Sequence, residues 1–463
     1  MQTELLVPGI TQYRIEGEDE QKEHKFIFTD GNQTWLKERD IECLKWLWDI
    51  KILSLKNFKY YTTQLYNVEY DSNRKRDEVI KNRFQRFRNR GLIEKLVHKA
   101  TKTVFFKLGK NGYSVLEFFG YIPPGERYYA ELKNAEKIDH FNAIRNTLIK
   151  TIVQIKKQNL ADENMEYDAI GPYPLSSKMI EQHNEKEPEK KQLAFFKPDW
   201  ILKTKNGFLN IEVDTGKQNL GVINAKINNY LDYFEHNPGG VHDVMFVVVD
   251  NDDTYFEYTG EYGKKRKVRP VNIKELIINR IAHKVPNINF YVTTMLPAPT
   301  LIVNLLKGYY PISNRSEHVK SVAAALDRNP SFNYEVELLE NVNDDYYFAE
   351  VDPSMYADGI YRLSKNGQEY ETVLVKVMEE GSTSCYDEIV YLNDLVNKKM
   401  FKKKVDRVIA IYRHQKELES DYFNVSLNKV WFVGKDLLFN NPTEPPAFYQ
   451  FEGTKKEVQL IEG

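Results

Sequence analysis

The sequence predicts an α/β (α+β) protein in which a small basic helical module precedes a sheet-based unit. Three observations predict it. First, two apolar runs flank Asn206-Gly207, the strongest short signal for a tight hairpin. Second, Val244–Val249 is an unbroken apolar run, as expected of a strand covered on both faces. Third, Ile80, Phe84 and Phe87 recur at helical spacing, and the β-rich stretches Leu92–Val97 and Thr103–Leu108 follow them.

A chain of 463 residues has room for several domains with filled cores. Charged residues make up 29% and aromatics 13%, which excludes global disorder. Cys43 and Cys385 stand far apart with no metal-ligand neighbours, so they read as free thiols of a reducing compartment. The start, Met1 to Gly9, has no basic region followed by an apolar stretch, and no window reaches the ~18 apolar residues of a membrane span. A cytoplasmic location is therefore expected. Net charge is −2, but its distribution is uneven. Between Arg74 and Lys110 there are 13 Lys and Arg against 3 Asp and Glu, a local excess of ten. Such segregation is the footprint of a nucleic-acid-binding module on an otherwise acidic protein.

Residues 1–36 read as an extended leader, with strand character at Phe26-Ile27-Phe28 and a turn at Gly31-Asn32. Residues 37–120 read as a winged helix. Leu44, Leu47 and Trp48 set a first helical stripe, and a second helix is expected over Leu55–Tyr66. The third, Asp77 to Asn89, begins with two acids at its positive end. Around its apolar stripe, Asn82, Gln85 and Asn89 point away from the core. Lys81 and Arg88 line one flank, and Arg83, Arg86 and Arg90 the other. Amides that read base edges between cations that hold phosphates suit a helix lying in a major groove of double-stranded DNA. Gly91 ends the helix, and the two following strands enclose a basic tip with Lys99 and Lys102, a wing.

Pro123-Pro124-Gly125 marks a hinge over 121–127, a helix is expected over 130–157, and the polar stretch 159–194 reads as a loop. In the hairpin that follows, a turn at Asn206-Gly207 pairs Lys205 with Phe208 and, further out, Asp199 with Asp214. Side chains alternate, so Asp199, Glu212 and Asp214 share one face while Trp200, Leu202, Ile211 and Val213 fill the other. Opposed residues lie roughly 4.5–5.5 Å apart at Cβ, where like charges destabilise a sheet. A bridging hard cation such as Mg²⁺ would reverse that penalty, which makes Asp199, Glu212 and Asp214 candidate metal ligands. A solvated acidic sheet face is the plainer alternative. After Thr215-Gly216-Lys217 comes a helix with Ile223, Ile227, Tyr230, Leu231 and Phe234 on its stripe, and Lys226 at the stripe's edge leans toward the hairpin.

Residues 356–413 repeat this order: Asp358 to Gly367 echoes Asp199 to Gly207, Thr372–Met378 is β-rich, Asp387–Asn397 helical, and Val405–Tyr412 a strand. A longer turn would set Lys376 and Met378 where the first copy has Glu212 and Asp214. Pro297-Ala298-Pro299 reads as a connection and Arg315–Asp327 as a helix.

Together, Arg83-Phe84-Gln85-Arg86-Phe87-Arg88-Asn89-Arg90-Gly91-Leu92-Ile93, Phe106-Lys107-Leu108-Gly109-Lys110-Asn111-Gly112, His140-Phe141-Asn142-Ala143-Ile144-Arg145, Pro198-Asp199 and Glu212-Val213-Asp214-Thr215-Gly216 make the chain resemble the replication-relaxation family of mobile-element proteins over about residues 37–250. The resemblance implies a winged helix (37–120) fused to a PD-(D/E)xK nuclease-like domain (128–295), while the repeated order at 356–413 makes 296–463 a C-terminal α/β domain that reads as a degenerate copy. It places Asp199 and Glu212 at the acidic positions. Asp214 stands where that pattern has its catalytic lysine, and Lys217 or Lys226 would have to replace it. The implied role is binding double-stranded DNA of a plasmid, phage or integrative element in its replication, relaxation or control, as a homo-oligomer or with the element's replication and transfer proteins. A Mg²⁺-dependent endonuclease and a winged-helix transcriptional regulator are the alternatives.

Overall fold

The computed structural model describes residues 9–16, 22–50, 52–57, 60, 73–97, 102, 104–125, 138–157, 168–170, 198–203, 207–216, 218–236, 241–249, 268–280, 282–340, 342–423, 426–452 and 454–459. Helices and mixed sheets alternate along it, an α/β fold. The chain divides into two compact units, one of residues 1–164 with 169–175, the other of 165–168 with 176–463.

In the first unit, the strands Ile10–Glu16, Glu23–Phe28 and Gln33–Lys37 form an antiparallel sheet. Its described residues are not a detached leader. Alternation buries Phe26, Phe28 and Leu36, and that face closes on the same core as Leu44 and Leu47 of helix Glu38–Ile50. A sheet with one apolar face has to be covered by another element. Helix Asn73–Asn89 starts four residues before the expected Asp77, and its stripe of Ile80, Phe84 and Phe87 joins this core. The hairpin Ile93–Val97 and Val104–Leu108 follows, with Leu53–Ser54 on the other side of its second strand. Gly91, at φ +65°, turns the chain out of the helix, where a residue with a side chain would be strained. Most of the expected helix Leu55–Tyr66 lies outside the described residues. Helix Ile138–Lys157 buries Ile149, Ile152 and Val153 in the same core, so it belongs to this unit and not to the 128–295 body expected from the sequence.

In the second unit, Trp200–Lys203 pairs antiparallel with Gly207–Asp214, which pairs parallel with Val241–Val248, itself parallel to Ile288–Thr294. Helix Leu220–His236 makes the crossover between the first two parallel strands. A second sheet runs in the order Glu335–Leu339, Gly359–Lys365, Gln368–Val377, Arg407–Tyr412, Val430–Gly434, Ala447–Glu452, Thr454–Gln459. Its centre repeats the first: an antiparallel hairpin, helix Thr383–Lys398, then two parallel strands. The repeat at 356–413 is therefore a repeat of topology. Asn366 and Gly367 both have positive φ (53° and 75°), the primed turn that Asn-Gly favours. Helix Arg315–Asp327 forms as expected, whereas Pro297-Ala298-Pro299 opens helix Ala298–Leu306 and is no mere connection. Proline tolerates a first turn because that N–H has no helical partner.

The two sheets are tied by buried polar contacts. Val292 N–H donates to Gly381 O at 2.8 Å, and a Cβ on Gly381 would lie 2.8 Å from that strand's Val292 O, so the approach needs glycine. Beneath it, Lys274 Nζ meets Asp421 Oδ1 at 2.5 Å with both side chains excluded from solvent, and Tyr412 donates its hydroxyl to Asp421 Oδ2 at 2.7 Å. A buried ion pair persists when further hydrogen bonds complete it in this way. Among the described residues no helix is long and apolar enough to cross a membrane.

Asp243, on strand Val241–Val248, has its carboxyl pushed up to about 6 by burial, with Glu379 adding to the rise and the Asn289 amide opposing it. The folded state thus keeps this proton over a pH range where the unfolded chain, near 3.9, has lost it. Stability from this group is greatest below pH ~4 and falls as pH rises to about 6. Asp243→Asn should therefore stabilise the protein above pH 6 by up to about 3 kcal/mol, and the difference should vanish near pH 4. Urea unfolding of both proteins across that range measures it.

Candidate functional site

Two surfaces carry the residues singled out in the sequence. On helix Asn73–Asn89, Lys81, Asn82, Gln85, Arg86, Arg88, Asn89 and the following Arg90 are exposed over the buried Ile80, Phe84 and Phe87. Gln85 and Asn89, one turn apart, hydrogen-bond to each other at 2.9 Å, which fixes both amides on the outer face. Lys102 is exposed ahead of the second hairpin strand, while Lys99 lies outside the described residues. Arg83 behaves differently from its neighbours. Its guanidinium is 2.8 Å from Asp40, whose side chain is 1% exposed, and Arg86 lies 3.6 Å from the same carboxylate. Asp40 also accepts the Lys37 amide at 3.0 Å, so it closes the start of its helix and anchors the basic helix to it. Arg83 is therefore held inward by an ion pair, and the free-phosphate position assigned to it passes to its neighbours.

The second surface is the hairpin. Its register puts Lys203 against Phe208 and Trp200 against Ile211, two residues on from the pairing expected at Lys205. An even shift keeps every side chain on its predicted face but sets Asp199 beside Glu212 instead of Asp214. Asp199 accepts the Val213 amide at 2.8 Å. Glu212 is buried, and Lys226 from the crossover helix reaches one of its oxygens at 2.5 Å while the Tyr230 hydroxyl donates to the other at 2.8 Å. Burial lifts the Glu212 carboxyl above its ordinary value, and the Lys226 and Tyr230 donors pull it back. For Lys226 burial opposes the charge, but Glu212, Asp199 and Asp214 outweigh it and hold the ammonium form. Asp214 is turned to another partner: Arg269 Nε is 2.6 Å from Oδ2, and the Gly216 amide donates to Oδ1 at 3.0 Å. Lys217 lies outside the described residues.

Asp199, Glu212 and Lys226 are thus brought together at the carboxyl end of a central parallel strand, where open α/β sheets place ligands. A cage of three carboxylates for Mg²⁺ is not what they form. Each carboxylate already accepts a protein donor, Lys226 and Arg269 supply two positive charges, and no group of three or more His, Cys, Asp or Glu among the described residues is placed to hold a metal ion. Tyr230 was legible only as core, and Arg269 had no sequence signal, being 55 positions from its partner.

The second sheet holds an equivalent of this site with its charges exchanged. Asp358 accepts the Val377 amide at 2.7 Å, as Asp199 does that of Val213. Lys376 then occupies the place of Glu212, and its partner on the crossover helix is Glu388 at 2.6 Å, where the first copy has Lys226. Arg315 completes the network at 3.0 Å from Glu379 and 3.6 Å from Glu388.

Because Arg83 neutralises a buried carboxylate, Arg83→Ala should lower the unfolding free energy by about 1–3 kcal/mol, below the full cost of orphaning a charge because Arg86 and the helix start remain. The exposed Arg88→Ala should change it by less than about 0.5 kcal/mol in the same chemical denaturation.

No curated protein and no solved structure matches the chain. Residues 53–249, which include the basic helix, the acidic hairpin and the second parallel strand, match the family model described as Replication-relaxation.

Proposed function

We propose that the protein binds double-stranded DNA of a mobile genetic element and acts in the replication, relaxation or control of that element. The observation that carries the reading is the exposed face of helix Asn73–Asn89, on which Asn82, Gln85 and Asn89 lie between Lys81, Arg86, Arg88 and Arg90, with a hairpin directly after it. Helix and hairpin then act as a winged helix: the amides read base edges in the major groove, the cations hold phosphates on either side, and Lys102 contacts the backbone from the wing. The replication-relaxation match over the same residues supports the role.

Arg88→Ala/Arg90→Ala should weaken duplex binding at least tenfold at physiological salt and flatten the dependence of log K on log salt by roughly 0.9 for each phosphate no longer neutralised. Gel shift or anisotropy titration measures both. A duplex affinity that the double substitution leaves unchanged would falsify the proposal.

A second reading, cleavage of that DNA, is favoured by one feature: Asp199, Glu212 and Lys226 converge on a single strand end, with the lysine supplied by the crossover helix. Supercoiled plasmid incubated with the protein and Mg²⁺ separates binding from cutting. Nicking that disappears in both Asp199→Ala and Lys226→Ala supports cleavage, and an intact plasmid, or nicking untouched by Asp199→Ala, ends it.

A further inference from the structure

The second sheet ends in a group of cations and aromatic rings that none of the roles above uses. Strands Arg407–Tyr412 and Val430–Gly434 run parallel, with Tyr412 opposite Gly434. The residue after each strand is a cation, Arg413 in a bend and Lys435 at the start of helix Lys435–Asn440, and the two charges act on one another where the chain leaves the sheet. Like charges so placed repel. Neither makes an ion pair with a carboxylate among the described residues; each lies over a ring instead. The Arg413 guanidinium is 4.3 Å from the centroid of Tyr309, a ring also approached by Lys307 at 5.3 Å, and Lys435 lies 5.5 Å from Phe439. Tyr309 and Phe439 are 41% and 50% exposed, so both rings are open to a ligand.

Three acids lie on neighbouring elements: Glu317, whose charge acts on Lys435, Glu417, whose charge acts on Arg413, and Asp436. Asp436 accepts the Gln415 amide at 2.8 Å, and Glu317 accepts a short hydrogen bond from the Asn314 side chain. The positive field is felt around the group: after burial, the charges of Lys435 and Arg413 hold the nearby His318 below the ordinary histidine value. The position is again the carboxyl edge of parallel strands, where open α/β sheets bind ligands.

We propose that this edge, formed by Tyr309, Arg413 and Lys435, binds single-stranded nucleic acid, with phosphates on the two cations and a base stacked on the exposed Tyr309 ring. Paired cations alone would accept any polyanion. The exposed ring selects a strand whose bases are free to stack, which a duplex hides. Binding at this edge does not require the duplex-binding helix face.

Anisotropy titration of the full chain with a labelled oligothymidylate tests it. Arg413→Gln/Lys435→Gln should weaken binding about tenfold or more and reduce the salt slope by roughly 0.7 for each phosphate released, and Tyr309→Leu should weaken it about tenfold. Both should leave duplex affinity and thermal melting unchanged, whereas Arg88→Ala/Arg90→Ala should do the reverse to the two DNAs. If the double substitution lowers the melting temperature, Lys435→Glu alone is read by the same titration. Oligothymidylate binding that is absent, or indifferent to these changes, overturns the inference. So does a polyglutamate that competes equally while Tyr309→Leu has no effect, since the edge would then be a general anion surface.

Discussion

One contact recurs at the centre of both sheets: an aspartate just before the first hairpin strand accepts the backbone amide near the end of the second. Asp199 does so with Val213 and Asp358 with Val377. This fixes the hairpin register at its open end, away from the turn. It also decides which residue of the second strand stands beside the aspartate, Glu212 in one copy and Lys376 in the other. A register slip of one residue would turn those side chains to the opposite face and bury the wrong set. The crossover helix can then supply a counter-charge from a constant direction, Lys226 to Glu212 and Glu388 to Lys376.

The exchange of charges between the copies has a simple physical basis. A buried ion pair requires opposite signs at short range, and either arrangement satisfies the requirement. The first copy places two carboxylates around a lysine, and Asp214 is balanced separately by Arg269. The second adds Arg315 to a group of Asp358, Glu379 and Glu388. In both copies cations stand among the clustered acids.

Much of the fold was legible in local pattern. The stripe Ile80, Phe84, Phe87 is buried as its spacing required, and the polar positions between are exposed, because helical periodicity alone sorts those faces. Parity along the hairpin strands correctly grouped Asp199, Glu212 and Asp214, even though the pairing moved by two, since an even shift preserves faces. The repeated order of hairpin, helix and strand at 356–413 was legible for the same reason. The extent of the first unit was not. Whether strands near residue 26 or a helix near residue 150 join a given core depends on which apolar faces meet, and that is not a local property.

The sequence by itself determined which side chains share a face and the segregation of positive charge onto one helix and hairpin, because each follows from short-range periodicity and composition. The tertiary structure alone decided which of those charges are free. Asp40 draws Arg83 inward, Arg269 takes up Asp214, and Arg413 and Lys435 come to act on one another where two parallel strands end. Electrostatic pairing depends on distance in space, and residues 43 or 55 positions apart in the chain carry no mark of one another until the chain has folded.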